Sequence, residues 1–370
     1  MNMKFYLPTR IIVGEGCIEK NAELLASIGK KPLIVTGKSS AKASGAFDDV
    51  VKALGDGDYA LFDGISQNPG VQSCFDGAKL AIAGGCDYII GIGGGSPMDA
   101  AKAIAVICAN PDIDETALYS NKWKNTPFKT VMVGTTAGTG SEVTPVAVIT
   151  DSNQRKKSVK GPLVFPSLSF GDYRYTLGLK ESFVASTAVD ALCHCVESYF
   201  NRTAEESCES FSVRGVQLIY PALKKLAYGS LKELSEKDRE ELYMGSIYGG
   251  LAISVTGTAL CHAMGYFLTE DFGLSHGFAC AAYFERFIEL SAKADAERAK
   301  MFFERCGVSA EELCKTVKRL ADSTVPELSV ERAESYTSRW QDNAGLKKSV
   351  FELTALDAEK LCKELFCKKQ

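Results

Sequence analysis

Histidine is scarce in this chain, three residues in 370, and tryptophan is scarcer still at two. Charge of one sign is lacking too: 42 Lys and Arg against 46 Asp and Glu leave a net charge of −4, with both signs spread along the chain. Such a balance excludes the basic footprint that nucleic-acid and other polyanion partners require. No apolar run approaches the ~18–20 residues of a membrane span. The start, "MNMKFYLPTRIIVG", carries neither a basic stretch leading into a long apolar one nor a small-residue cleavage site, so neither a signal peptide nor a membrane anchor is expected. The thirteen cysteines do not form a disulfide framework: their number is odd, the chain is long, and the one close pair, Cys193 and Cys195, is not a CxxC. Reduced thiols in a cytoplasmic protein are the expectation. Internal repeats and low-complexity linkers are absent as well.

What is present suffices for two domains, with 46% apolar residues to fill their cores. In the first half, short apolar runs at 31–37, 59–65, 87–93, 130–136 and 146–151 read as strands, several separated by helical stretches such as "VQSCFDGAKLAIAGG". This is the pattern of a parallel sheet covered by helices. From about residue 181 the periods lengthen, as in "ESFVASTAVDALCHCVESYF" and "ACAAYFERFIELSAK", with no convincing strand. The expected division is therefore an α/β domain over 1–178 and an all-helical domain over 179–370.

Three junctions rich in Gly, Ser or Thr follow strands of the first half: "KSSAKASG" after "LIVTG", "GGGSPMDAAKA" after "YIIGI", and "GTTAGTGSEVT" after "TVMV". Loops at the carboxyl ends of parallel strands line the usual ligand crevice, and glycine at a helix start leaves backbone amides open to a phosphate. A Walker A loop is excluded, because Pro32 stands where its first Gly belongs ahead of Gly37-Lys38-Ser39. The GxGxxG fingerprint beginning at Gly91 fails at Ser96. A nucleotide bound here sits in another Gly-loop design.

All three histidines fall in the helical half. His194 follows Asp190 by four residues and shares its helix face, while His262 and His276 lie fourteen apart in "CHAMGYFLTEDFGLSHG". Three imidazoles and a carboxylate make a good first-row divalent site, suited to iron or zinc.

With "GGGSPMDAAKA", "TTAGTGSEVT", "DALCHCVE" and "HAMGYFLT…SHG" in order, the chain resembles the iron-containing (group III) alcohol dehydrogenases over most of its length. The resemblance implies a Rossmann-like dinucleotide domain followed by an all-helical metal domain, an arrangement similar to dehydroquinate synthase, with catalysis in the cleft between them. It places the metal on Asp190, His194, His262 and His276, as Fe²⁺ or alternatively Zn²⁺. It places the dinucleotide on Gly94, Gly95, Ser96 and Asp99, on Thr135, Thr136 and Thr139, with Asn68 beside them, and on Lys156, for which Lys157 and Lys160 are alternatives. Hydride would pass between the cofactor and a small alcohol or aldehyde, and a homodimer is possible. Many relatives carry another His where Tyr266 stands, so Tyr266 is either a proton relay or a pocket wall. Many NAD-using relatives carry Asp where Gly37 stands; its absence, with Lys38 and Ser39 following, favours NADP(H) over NAD(H). The alternatives are a glycerol dehydrogenase- or dehydroquinate synthase-like zinc enzyme, and an inactive metal- and nucleotide-binding protein.

Overall fold

The computed structural model describes residues 5–321 and 326–368, and these fall into two compact units, Tyr6–Leu179 and Lys180 onward, the second joined by Phe5. In the first unit the strands are β1 (Arg10–Val13), β2 (Pro32–Thr36), β3 (Ala60–Phe62), β4 (Tyr88–Gly93), β5 (Lys129–Gly134), β6 (Val146–Thr150), β7 (Lys156–Lys160) and β8 (Leu168–Gly171). Its helices are α1 (Glu23–Ile28), α2 (Ser40–Ala43), α3 (Ala46–Leu54), α4 (Val71–Ala83), α5 (Gly95–Ala109) and α6 (Glu115–Tyr119). Six strands form a parallel sheet in the order β1-β8-β5-β4-β2-β3.

Strands β2 and β4 are buried along their whole length, as continuous apolar runs covered on both faces must be. Alternate residues of β2, β4 and β5 feed two cores. Leu33, Val35, Ile89 and Met132 join residues of α4 and α5 on one face, while Ile34, Ile90, Ile92, Val131 and Val133 join residues of α1 and α3 on the other. The close fit of α5 to β4 depends on Gly91, where an added Cβ would lie 2.8 Å from that of Ala101.

One expected strand of the parallel sheet lies elsewhere. Residues 146–150 pair antiparallel with β7 in a separate two-stranded sheet, and only alternate residues of β6 are fully buried. A strand with one apolar face suits a hairpin laid against a helix, not the interior of a sheet covered on both sides. The fifth and sixth places in the sheet are taken by β1 and β8, short edge-side runs absent from the sequence-based set.

The edge pair is fastened by Asp172, directly after β8. Its buried carboxylate accepts from the Gly16 amide at 2.8 Å, beyond β1, and from the Arg174 guanidinium at 2.6 Å. Burial raises this carboxyl, but the hydrogen bonds from Arg174 and Gly16 outweigh it and hold it below its ordinary 3.8. A depressed carboxyl stabilises the fold above that ordinary value and ceases to do so as pH falls through its folded value. Asp172→Asn is expected to cost about 2 kcal/mol in urea denaturation at pH 7. The difference from the parent should shrink as pH is lowered below 3.8.

The second unit is helical: α7 (Glu181–Tyr199), α8 (Glu206–Tyr228), α9 (Glu236–Thr256), α10 (Leu260–Phe272), α11 (His276–Ala281), α12 (Phe284–Ala294), α13 (Ala296–Cys306), α14 (Ala310–Ala321), α15 (Val330–Ser335), α16 (Thr337–Trp340) and α17 (Ala355–Phe366). Among the described residues it contains isolated bridges but no strand. The long helices α7, α8 and α9 pack on one another at glycines: a Cβ at Gly215 would strike Cys195 Sγ, and one at Gly249 would come 3.0 Å from the Ala191 carbonyl. Among the described residues no single helix is long and apolar enough to cross a membrane; α9 and α10 together meet the length and composition, but they meet at a 108° bend.

Candidate active site

Two groups of candidate residues stand out, one in each unit. In the second unit, α7 turns Asp190, His194 and Glu197 to one side, since residues four and three apart share a helix face. Two further elements reach that face. Gly257, at φ +68°, ends α9 and lets the chain bend sharply into α10, whose third residue is His262. His276 opens α11, and the next residue, Gly277, lies against the backbone of α7: a Cβ there would overlap the Ser186 carbonyl and come 3.0 Å from the Asp190 amide. Only glycine lets α11 come close enough to bring His276 to Asp190.

The result is convergence on one atom. Asp190 Oδ1 lies 3.2 Å from His262 Nε2 and 3.7 Å from both His194 Nε2 and His276 Nε2. The His194 and His262 rings stack with centroids 4.7 Å apart. Burial pushes the Asp190 carboxyl up, yet the charges of His194 and His276 and the hydrogen bond to His262 outweigh it and hold it well below the carboxylate range. The side chains of His194 and His262 are 5% and 3% exposed against 29% for His276, so the cluster opens at His276. Tyr266 stacks on that ring at 5.8 Å, and burial pushes its phenol up to about 12. It therefore keeps its proton at neutral pH.

Two residues of this cluster escaped the sequence reading. Glu197, wholly buried, accepts from the Cys261 amide at 2.5 Å and the His262 amide at 3.4 Å, and it bonds His262 Nδ1. A carboxylate of α7 thus serves the first amides of α10, which have no side-chain cap of their own, and fixes the His262 ring with Nε2 toward Asp190. Its spacing of three from His194 was the available signal. Cys280, four residues after His276, stands with Asp190, His262 and His276 in a group whose donor atoms all lie within 4.8 Å of one another.

In the first unit the three loops lie at the carboxyl edge of adjacent strands β2, β4 and β5. The glycines of 93–95 make room for neighbouring protein. A Cβ at Gly94 would come 3.1 Å from Thr136 Cγ2, and one at Gly95 would come 2.9 Å from Thr139 Cγ2. The Thr135 amide donates to Gly93 at 2.8 Å, locking the two loops together. Helix α5 follows Gly94, which supplies no side-chain cap, and its first amides are left as donors for an anion. The buried Thr136 hydroxyl has no hydrogen-bond partner among the described residues, an orphan that a ligand would satisfy. The Asn68 amide donates to Ser96 Oγ at 3.2 Å, bringing the loop after β3 to the same edge.

Asp99 lies on α5, one turn after Gly95. Its carboxylate accepts from Ser141 Oγ at 2.6 Å and the Val148 amide at 2.8 Å, binding α5 to the loop after β5 and to β6. Lys102, one turn on, is buried and donates to Ser141, Thr144 and Val146 oxygens at 2.6–2.9 Å. Lys156 is near enough to Asp99 for its charge to act on it, whereas Lys157 pairs with Asp151 at 3.0 Å over the Tyr119 ring. At the end of β2, Gly37 faces the Ile65 carbonyl, 3.3 Å from an added Cβ, and Lys38 and Ser39 are exposed.

Comparison with known proteins completes the picture. Residues 8–173 match the family described as iron-containing alcohol dehydrogenase, and residues 184–362 match the C-terminal region of the Fe-containing alcohol dehydrogenase family. The chain belongs to the iron-containing alcohol dehydrogenase family. Lactaldehyde reductase of Escherichia coli K12 is 32% identical over 76% of this chain and 74% of its own length. The NADPH-dependent butanol dehydrogenase of Clostridium saccharobutylicum is 30% identical over 80% of this chain and 76% of its own. A crystal structure of an iron-containing alcohol dehydrogenase from Thermotoga maritima has a TM-score of 0.89 at 31% identity, covering 98% of this chain and 99% of that one. The chain is an oxidoreductase of this family, with its parallel α/β and helical units.

The packing of α11 on α7 makes a direct prediction. Gly277→Ala should cost about 1–3 kcal/mol by overpacking, read from thermal or urea denaturation. Gly178→Ala, at an exposed position where an added Cβ meets nothing within 4 Å, should be close to silent.

Proposed function

We propose that this family member moves a hydride between NADP(H) and a small alcohol or aldehyde, with a ferrous ion held by Asp190, His194, His262 and His276. The observation that carries the metal assignment is the convergence of three Nε2 atoms on one Asp190 oxygen at 3.2–3.7 Å. Two donors about 2.1 Å from one ion in tetrahedral geometry stand about 3.4 Å apart, close to the separation of Asp190 Oδ1 from each of the three imidazoles. When bound, the ion polarises the substrate oxygen as a Lewis acid while the nicotinamide supplies or accepts the hydride.

The chain's own groups do the rest. Asp190 offers a charged oxygen among the imidazoles, Glu197 holds His262 in the tautomer that turns Nε2 inward, and the partly exposed His276 marks the side from which a substrate enters. Tyr266, protonated and stacked on His276, can donate to an oxygen arriving there. In the first unit, the uncapped start of α5 and the orphan Thr136 hydroxyl suit the pyrophosphate of a dinucleotide. The small alcohols and aldehydes named for the relatives support the substrate class.

His194→Ala and His276→Ala should each lower iron occupancy in anaerobically reconstituted protein and abolish aldehyde-dependent NADPH oxidation, while NADPH still binds to the α/β unit by fluorescence titration. Full occupancy in both variants would overturn the four-ligand assignment.

The preference for NADP(H) is supported by the β2 end, where Gly37 leaves no carboxylate to oppose a 2′-phosphate and Lys38 and Ser39 supply a cation and a hydroxyl. Gly37→Asp should move the ratio of kcat/KM for NADPH over NADH toward NADH. A parent ratio already favouring NADH, or one untouched by the aspartate, would show that this loop does not read the ribose.

A further inference from the structure

We propose that Cys280 is a fifth donor at the metal centre, so that the protein can hold a divalent ion in either of two sets: Asp190 with three imidazoles, or Asp190, His262 and His276 with the Cys280 thiolate. The proposal rests on the metal reading above and extends it to a residue that the reading leaves unused.

The geometry supplies the second set directly. Asp190, His262, His276 and Cys280 present donor atoms that all lie within 4.8 Å of one another. Cys280 is fully buried and sits one turn beyond His276, on the same side of α11. Its place is fixed from behind, because Gly265 of α10 packs on the backbone of Ala279 and Cys280, 3.0–3.2 Å from where a Cβ would stand. Cys193 and Cys261 are also buried nearby, but among the described residues only Cys280 falls within the donor group.

The two sets differ in hardness. Three imidazoles and a carboxylate suit ferrous iron or zinc, whereas exchanging one imidazole for a thiolate favours zinc. On binding, the metal–sulfur bond forms as the thiol proton leaves to solvent, with no change of oxidation state. Cys280 would therefore decide which metal the centre prefers, without being needed for iron.

The test is titration of Co²⁺ into metal-free protein under anaerobic conditions, for the parent, Cys280→Ala and Cys280→Ser. Visible ligand-field bands report occupancy of the site, and a near-ultraviolet sulfur-to-cobalt charge-transfer band reports a thiolate ligand. The parent should show both, and the two variants should keep the visible bands and lose the near-ultraviolet one. In competition, the variants should also shift from Zn²⁺ toward Fe²⁺. Visible bands without the charge-transfer band in the parent would overturn the role of Cys280 while leaving the metal site standing, as would a charge-transfer band that persists in both variants. Failure of the parent to bind Co²⁺ at all would overturn the metal reading itself. Because the parent spectrum decides the question, poor folding of either variant does not protect the proposal.

Discussion

A carboxylate placed inside a helical core is costly unless other groups offset its charge, and Asp190 is the point on which the second unit is organised. Three imidazoles from three helices turn their Nε2 atoms to one of its oxygens. Each has to be delivered by a separate backbone device: the four-residue spacing within α7, the bend at Gly257 that starts α10, and the bare Cα of Gly277 that seats α11 on α7. The small residues threaded through α7, α8 and α9 serve the same end, since close helix approach leaves the donors little freedom to spread.

Glu197 extends this arrangement by one shell. It serves at once as a cap for α10 and as the partner of His262 Nδ1, so the helix start and the ring orientation are set by the same carboxylate. The first unit uses a comparable economy. Asp99 and Lys102, on successive turns of α5, bind the loop after β5 and the β6 strand, while Gly94 and Gly95 let Thr136 and Thr139 close on the glycine turn. The loops at the carboxyl edge are thereby held as one surface, which suits a site that must present backbone amides in fixed positions.

Much of this was legible in the chain. The buried runs around 33–36 and 88–93 gave parallel strands because nothing polar interrupts them, and the long helical periods after 181 gave the helical unit. The run at 146–150 misled because its apolar content resembles that of the sheet strands, while its alternating burial becomes visible only once β7 pairs with it. Likewise β1 and β8 are too short to stand out from sequence, and take their places by pairing with each other and with β5.

By itself, the sequence determined the two-unit order, the loops that follow strands, the pairing of Asp190 with His194 by helical period, and the small set of imidazoles from which any metal site had to be drawn. Tertiary structure alone decided that His262 and His276 meet that pair, that Glu197 and Cys280 stand among them, and that Asp99 and Lys102 bind protein loops. The reason is physical: a helix face follows from spacing within one segment, whereas the meeting of atoms from α7, α10 and α11 depends on how closely three backbones pack, and that distance is set by contacts such as Gly277 on Ser186.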